Sequence, residues 1–184
     1  MLRYDSTAER LELKLVPGAP LPLATGGIVA GYASLFHVAD LGRDTVMPGA
    51  FAESLARKGP GGVRMLWQHD PAEPVGRWDA LREDARGLHV RGRLNLEVAR
   101  ARELAALLRD GALDGLSIGF RVVEAKRDRA SGLRRLFRVD LWEVSLVTFP
   151  MQPGARVDPV APARPEPLAL AMRRAALRLS NPVP

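Results

Sequence analysis

Alternating apolar and polar positions recur along most of the chain and predict a protein built mainly of β-strands. In the first such segment, Leu11, Leu13 and Leu15 alternate with Glu12 and Lys14, as expected of a strand that buries one face. Further strands, several of them ended by Gly or Pro, are predicted over residues 28–36, 63–67, 88–94, 116–123 and 136–149.

Two helices are predicted between these strands. The first runs from about residue 48 to residue 58, with Pro48 near its start and Gly59-Pro60 as its stop. The second runs from about residue 96 to residue 110, with Asn95 as N-cap and Gly111 as C-terminal stop. Its apolar stripe consists of Ala101, Leu104, Ala105 and Leu108. Strands outnumber helices and often follow one another directly, which favours a mainly antiparallel sheet or barrel with helices packed outside.

Proline usage changes near the end of the chain. Of 15 prolines, eight lie between Pro150 and Pro184, where Gly154 is the only glycine. We therefore expect a packed domain over residues 1–157, followed by a Pro-rich linker and a short basic amphipathic tail over residues 158–184. The tail is interpreted as a segment that becomes helical on contact; docking on a partner protein or on an anionic membrane surface are the alternatives.

Composition narrows the class of protein further. With 184 residues, 47% hydrophobic and 26% charged, the chain is typical of a single soluble globular domain. No window approaches the roughly 20 consecutive apolar residues of a membrane span, and the N-terminus lacks the apolar core of a secretory signal. There is no cysteine, which excludes disulfides, thiolate nucleophiles and zinc–thiolate sites. A cytoplasmic setting is predicted.

Motifs for phosphate cradles, zinc peptidases and the nucleophile elbow of serine hydrolases do not occur. The first unusual segment instead places His69 at the end of a predicted strand, just before Asp70-Pro71. A rigid element can hold a side chain there while leaving it open to a cleft. The alternative is a purely structural histidine.

A lone hydroxyl marks the second segment, in which Ser117 lies between Gly115 and Gly119 amid apolar residues. Flanking glycines allow close backbone approach and can present N–H groups to an oxyanion. The alternative is a buried strand serine bonded to a neighbouring carbonyl.

The third segment contains an acid, Glu143, inside an otherwise apolar strand. If the odd-numbered residues from 137 to 143 face inward, Glu143 is a buried carboxylate that requires a donor such as an imidazole. If the even-numbered residues from 142 to 146 face inward, Glu143 is merely solvated. Alternation alone leaves both options open.

Together these segments resemble the prohead (capsid maturation) proteases of tailed phages and of phage-derived gene transfer agents. The resemblance extends from about residue 31 to residue 157. The segments that carry it, in order, are GYASLF (31–36), VMPGAF (46–51), QHD (68–70), VG (75–76), EDARGL (83–88), GLSIGF (115–120) and LWEVSLVTFP (141–150).

The resemblance implies a serine endopeptidase with a small closed antiparallel β-barrel wrapped by helices, of the type found in the herpesvirus maturation protease, assemblin. It also implies a catalytic Ser–His pair, Ser117 and His69, in which Ser117 attacks the scissile carbonyl and His69 transfers the proton. The third member, which orients the imidazole, is expected to be Glu143, with Asp140 as the alternative.

The implied partners are the major capsid protein and its scaffolding segment, which such an enzyme cleaves, along with itself, inside the procapsid in the host cytoplasm. A homo-oligomer is also expected. No metal or cofactor, no specific nucleic acid and no membrane is implied, although the formal charge is +6. The alternative function is a non-catalytic internal scaffold or assembly factor that binds the capsid protein.

Overall fold

Seven strands and two α-helices make up the computed structural model, which describes residues 27–158. In chain order they are β1 (Ile28–Leu35), β2 (Asp44–Val46), α1 (Ala52–Lys58), β3 (Arg64–Trp67), β4 (Asp70–Glu83), β5 (Gly87–Leu94), α2 (Ala99–Asp110), β6 (Gly115–Arg127) and β7 (Arg134–Val147). A 3-10 turn, Pro60–Gly62, joins α1 to β3. The predicted strand around Leu11–Leu15 and the predicted tail helix lie outside the described residues.

One sheet contains all seven strands, in the order β1-β5-β4-β3-β7-β2, with β6 paired to the other side of β7. The ladders are antiparallel except for those that join β2 and β3 to β7. The prediction of a mainly β protein with few helices is confirmed. No helix within residues 27–158 is long and apolar enough to cross a membrane.

The sheet curls into an open half-barrel, and the expected closed barrel is not formed. In the described part of the chain no ladder joins β1 to β6, because a short segment around Arg156 lies between these edges. This segment pairs with them through isolated bridges, Gly31 with Val157 and Gly115 with Arg156. The backbone N–H of Tyr32 donates to the Arg156 carbonyl at 3.1 Å. The inserted segment thus occupies edge groups that direct closure would require.

The core fills the concave side of this sheet. Its largest fully buried side chains include Phe51, Met65, Leu88, Leu104, Leu116, Leu136, Leu141 and Leu146. Helix α2 packs its predicted stripe of Ala101, Leu104, Ala105 and Leu108 against them. Burying a leucine such as Leu104 is worth about 1.5–3 kcal/mol, which explains why the helix docks on the sheet.

The ends of α2 match the predictions at one terminus only. Gly111 adopts the left-handed conformation (φ 75°) and ends the helix as predicted. The N-cap prediction is wrong, because α2 begins at Ala99 with Val98 in the cap position. Asn95 instead closes a preceding turn, in which its side-chain oxygen accepts from the N–H of Glu97 at 3.2 Å.

Strands β2 and β4 were not predicted, and α1 begins later than predicted. Strand β4 has Pro71 and Pro74 in its first half and little alternation, which are features that argue against a strand. Helix α1 begins after a turn rather than at residue 48. The Glu83 carboxylate at the end of β4 accepts the N–H groups of Gly49 and Phe51 at 3.0 and 2.7 Å. A contact distant in sequence therefore sets the start of α1.

Candidate active site

His69 lies at the tip of the tight hairpin that joins β3 to β4. Trp67 pairs with Asp70, which leaves Gln68 and His69 as a two-residue loop with φ of 52° and 61°. Positive φ at both positions is characteristic of a type I′ turn, where Asn and Gly are usual. The left-handed conformation costs each residue with a Cβ about 1–2 kcal/mol, so other contacts must stabilise the turn.

Three hydrogen bonds anchor this turn to the end of β7. The N–H of Gln68 donates to the Leu146 carbonyl at 3.0 Å, and its side-chain amide donates to Thr148 Oγ1 at 2.8 Å. The N–H of His69 donates to Ser145 Oγ at 3.2 Å. Strain in the turn is thereby offset by its environment, as is common where a functional side chain must be presented.

The imidazole of His69 meets the carboxylate of Glu143. His69 Nδ1 lies 2.6 Å from Glu143 Oε1, with the two side chains 41% and 12% exposed. The hydrogen bond to Glu143 raises the pKa of His69 above its usual value, while partial burial of the ring acts in the opposite direction. With Nδ1–H held by the carboxylate, the neutral ring presents Nε2 as a proton acceptor.

Space for the Glu143 carboxylate is provided by Gly119, its partner across the β6–β7 ladder. A Cβ at Gly119 would lie only 2.0 Å from Glu143 Oε1. The second carboxylate oxygen accepts a 2.5 Å hydrogen bond from Ser145 Oγ. The missing Cβ of Gly119 therefore leaves the space that the Glu143 side chain occupies.

Neither alternation considered for β7 holds along its whole length. The ladder slips between Phe120 and Gly119, so that Trp142 bulges outward and is 54% exposed. Leu141 and Val144 consequently both enter the core. Beyond the bulge, Glu143 lies on the other face of the sheet, where the His69 turn covers it.

Ser117 lies on the same face, directly across the ladder from Ser145. Paired residues of antiparallel strands have their Cβ atoms about 4.5–5.5 Å apart. Among the described residues, no hydrogen bond engages the Ser117 hydroxyl, and the residue is 6% exposed. Ser117 also borders a cavity of about 280 Å³ that His69 and Glu143 do not line. The strand register places Ser117 opposite Ser145, whose hydroxyl hydrogen-bonds to His69 and Glu143.

Asp140, the alternative to Glu143, is engaged elsewhere. Its carboxylate lies 2.6 Å from Lys58 Nζ and 2.5 Å from Arg57 Nη2 on α1. The bond from Lys58, then that from the Trp142 indole, holds the pKa of Asp140 far below its usual value. Glu143 therefore contacts His69, whereas Asp140 contacts the cations of α1.

Ser145 was not singled out from the sequence. Its place two residues after Glu143 put both side chains on one strand face, which is the signal that was available. Within residues 27–158, no group of three acidic or histidine side chains is arranged to hold a metal ion.

Residues 20–166 match the family described as Caudovirus prohead serine protease. The chain belongs to this family. The prohead protease of Enterobacteria phage HK97 is 40% identical over 135 residues, which are 71% of this chain and 59% of that protein. This prohead protease family member therefore spans somewhat more than half the length of that relative.

A solved structure supports an assignment of this chain to the fold of capsid assembly proteases. The capsid assembly protease of bacteriophage T4 superimposes with a TM-score of 0.53 at 15% identity, covering 65% of this chain and 80% of that one. A KSHV protease bound to a hexapeptide phosphonate inhibitor gives a TM-score of 0.48 at 14% identity, covering 71% and 63% of the two chains.

Proposed function

We propose that this prohead protease family member is a serine endopeptidase with Ser117 as nucleophile, His69 as general base and acid, and Glu143 as the residue that orients the imidazole. The observation that carries the proposal is the 2.6 Å contact between His69 Nδ1 and Glu143 Oε1. It lies on the sheet face that also presents the unengaged hydroxyl of Ser117. An acid, an imidazole and a free hydroxyl on one rigid surface can carry out acyl transfer.

The reaction proceeds in two acyl-transfer steps. Ser117 Oγ attacks the scissile carbonyl while His69 Nε2 takes its proton, and Glu143 stabilises the imidazolium that forms. The imidazolium then donates the proton to the leaving amine, which leaves an acyl group on Ser117. A water molecule, deprotonated by the same imidazole, hydrolyses this ester and restores the serine.

The proposed substrates are the major capsid protein, its scaffolding segment and the protease itself. The names of its relatives support this: one is a prohead protease and another a capsid assembly protease. The reaction would then take place inside the procapsid, in the cytoplasm of the host, with the enzyme as a homo-oligomer. Residues 158–184 are proposed to direct the enzyme to the particle.

Serine-directed labelling tests the nucleophile. A fluorophosphonate should modify the wild-type chain at Ser117, as located by peptide mass spectrometry, and should not modify Ser117→Ala. Ser54→Ala, which removes a buried hydroxyl bonded to the backbone of Leu141, is the matched control and should label normally. Labelling at Ser145 would overturn the assignment of the nucleophile.

Co-expression with the capsid protein tests the substrate. The wild type should shorten the capsid protein, whereas Ser117→Ala should leave it intact while staying folded, because losing one hydroxyl changes stability by only about 1 kcal/mol. Binding of the capsid protein by both variants, without cleavage or labelling by either, would favour the non-catalytic assembly factor.

A further inference from the structure

Within the described residues, Ser145 is the one residue whose side chain hydrogen-bonds to both His69 and Glu143. It is fully buried. Its hydroxyl donates to Glu143 Oε2 at 2.5 Å and accepts the backbone N–H of His69 at 3.2 Å. A serine hydroxyl has one proton to donate and two lone pairs, so a single orientation makes both bonds.

We propose that Ser145 is a positioning residue, which fixes the Glu143 carboxylate and the His69 turn relative to each other so that the imidazole is held for catalysis. The catalytic part of this inference rests on the proposed function. The geometric part, that one hydroxyl sets the His69–Glu143 contact, does not.

Each of the two bonds has a separate effect. Glu143 offers two oxygens, and the bond to Oε2 stops the carboxylate from rotating away while Oε1 holds His69 Nδ1. On the other side, the bond to the His69 N–H secures a turn whose two central residues both have positive φ. Such a turn is held by its surroundings rather than by its own preference, so losing an anchor allows it to relax.

The same contacts argue that Ser145 is not the nucleophile. Its proton is directed at Glu143 rather than at His69 Nδ1 or Nε2, and its side chain is shielded by the turn. Ser117, its partner across the ladder, is the serine whose hydroxyl is unengaged among the described residues. Ser145 therefore positions the His69–Glu143 pair, and Ser117 attacks the substrate.

Titration of the His69 ring by NMR tests the geometry without any need for activity. It is carried out in Ser117→Ala, with and without Ser145→Ala, so that no nucleophile is present. Glu143 is the charged group that raises the pKa of His69. Loosening the carboxylate by Ser145→Ala should therefore lower the His69 pKa toward its usual value. An unchanged pKa would overturn the proposal.

Ser54→Ala is the matched control for this titration. Ser54 is also a buried serine that contacts a carboxylate, Asp140, at 3.4 Å and accepts a backbone N–H, that of Leu141, at 2.9 Å. Its removal should cost similar stability while leaving the His69 pKa unchanged. A pKa that fell equally in both variants would reflect general loosening and would also overturn the proposal.

Activity then tests the catalytic part. With Ser117 present, Ser145→Ala should lower kcat by about 10²-fold with little change in KM. A loss of this size is typical when a catalytic group is displaced by about 1 Å. Ser145→Cys is slightly larger than the wild-type side chain and donates a weaker hydrogen bond. Its kcat should lie between those of the wild type and Ser145→Ala, and it serves as the test variant if Ser145→Ala folds poorly. A kcat within threefold of wild type would overturn the positioning role. If Ser145→Ala lowers the His69 pKa but the fluorophosphonate labels no serine of the wild type, the geometry is upheld and the proposed function is rejected instead.

Discussion

Substituting Gly119 by alanine should disable the proposed catalytic site through a single steric contact. The added Cβ would lie 2.0 Å from Glu143 Oε1, 2.8 Å from Cδ and 2.9 Å from Cγ. Ordinary van der Waals contact begins near 3.4 Å, so the carboxylate oxygen must retreat by about 1.4 Å. A displacement of that size directed away from His69 Nδ1 stretches the 2.6 Å bond to about 4 Å, which is no longer a hydrogen bond.

Two measurable effects follow from this displacement. The rate of fluorophosphonate labelling at Ser117 should fall by about 10²-fold or more, because a catalytic group displaced by about 1 Å loses that much. The pKa of His69 should move down toward its usual value, because the bond that raises it is lost. Overpacking should cost only about 1–3 kcal/mol of unfolding free energy, so the variant should remain folded at room temperature.

Gly61→Ala is the matched control, because a Cβ there meets nothing within 4 Å. It should label at the wild-type rate. Combining Gly119→Ala with Glu143→Gln should add little to the loss caused by Glu143→Gln alone, because the alanine acts through that carboxylate. A Gly119→Ala protein that labels within threefold of wild type, with an unchanged His69 titration, would refute the reasoning.

Two further predictions concern the acids and the C-terminal segment. Glu143→Gln should lower the labelling rate by about 10⁴-fold and shift the acidic limb of the pH–rate profile to lower pH, because the His69 pKa falls. Asp140→Asn should keep the rate within a few-fold but lower the urea midpoint, since it leaves Lys58 without its carboxylate; the reverse ranking would reassign the orienting role. A chain ending at Asp158 should keep its melting temperature and labelling rate but enter procapsids less efficiently; a melting temperature lowered by more than a few degrees would place the domain boundary later.

Local patterns in the sequence were sufficient for much of the fold. Alternation, apolar runs and Gly or Pro stops located five of the seven strands within residues 27–158, because a strand with one buried face repeats every two residues and strands are often bounded by these residue types. Helix α2 was predicted from its apolar stripe and from Gly111, because glycine readily adopts the left-handed conformation that ends a helix. The resemblance to prohead proteases also predicted Ser117, His69 and Glu143 as the site residues.

Register and long-range contacts could not be read from those patterns. Strand β4 was missed because its prolines and weak alternation conceal it, although pairing with β3 and β5 stabilises it. The bulge at Trp142 reverses the alternation of β7 partway along, so no fixed parity could decide whether Glu143 was buried.

Which of the two acids contacts His69 likewise depends on the tertiary structure. Glu143 contacts His69 because the β3–β4 hairpin, which follows the parallel neighbour of β7, covers the Glu143 side chain. Gly119, on the opposite strand, leaves space for the carboxylate. Asp140 forms ion pairs with the cations of α1, a helix more than 80 residues away along the chain. Which residue types are available for the chemistry follows from the amino-acid sequence alone. Only the packing of distant segments decided which of them meet, because hydrogen-bond geometry depends on distances that sequence spacing does not encode.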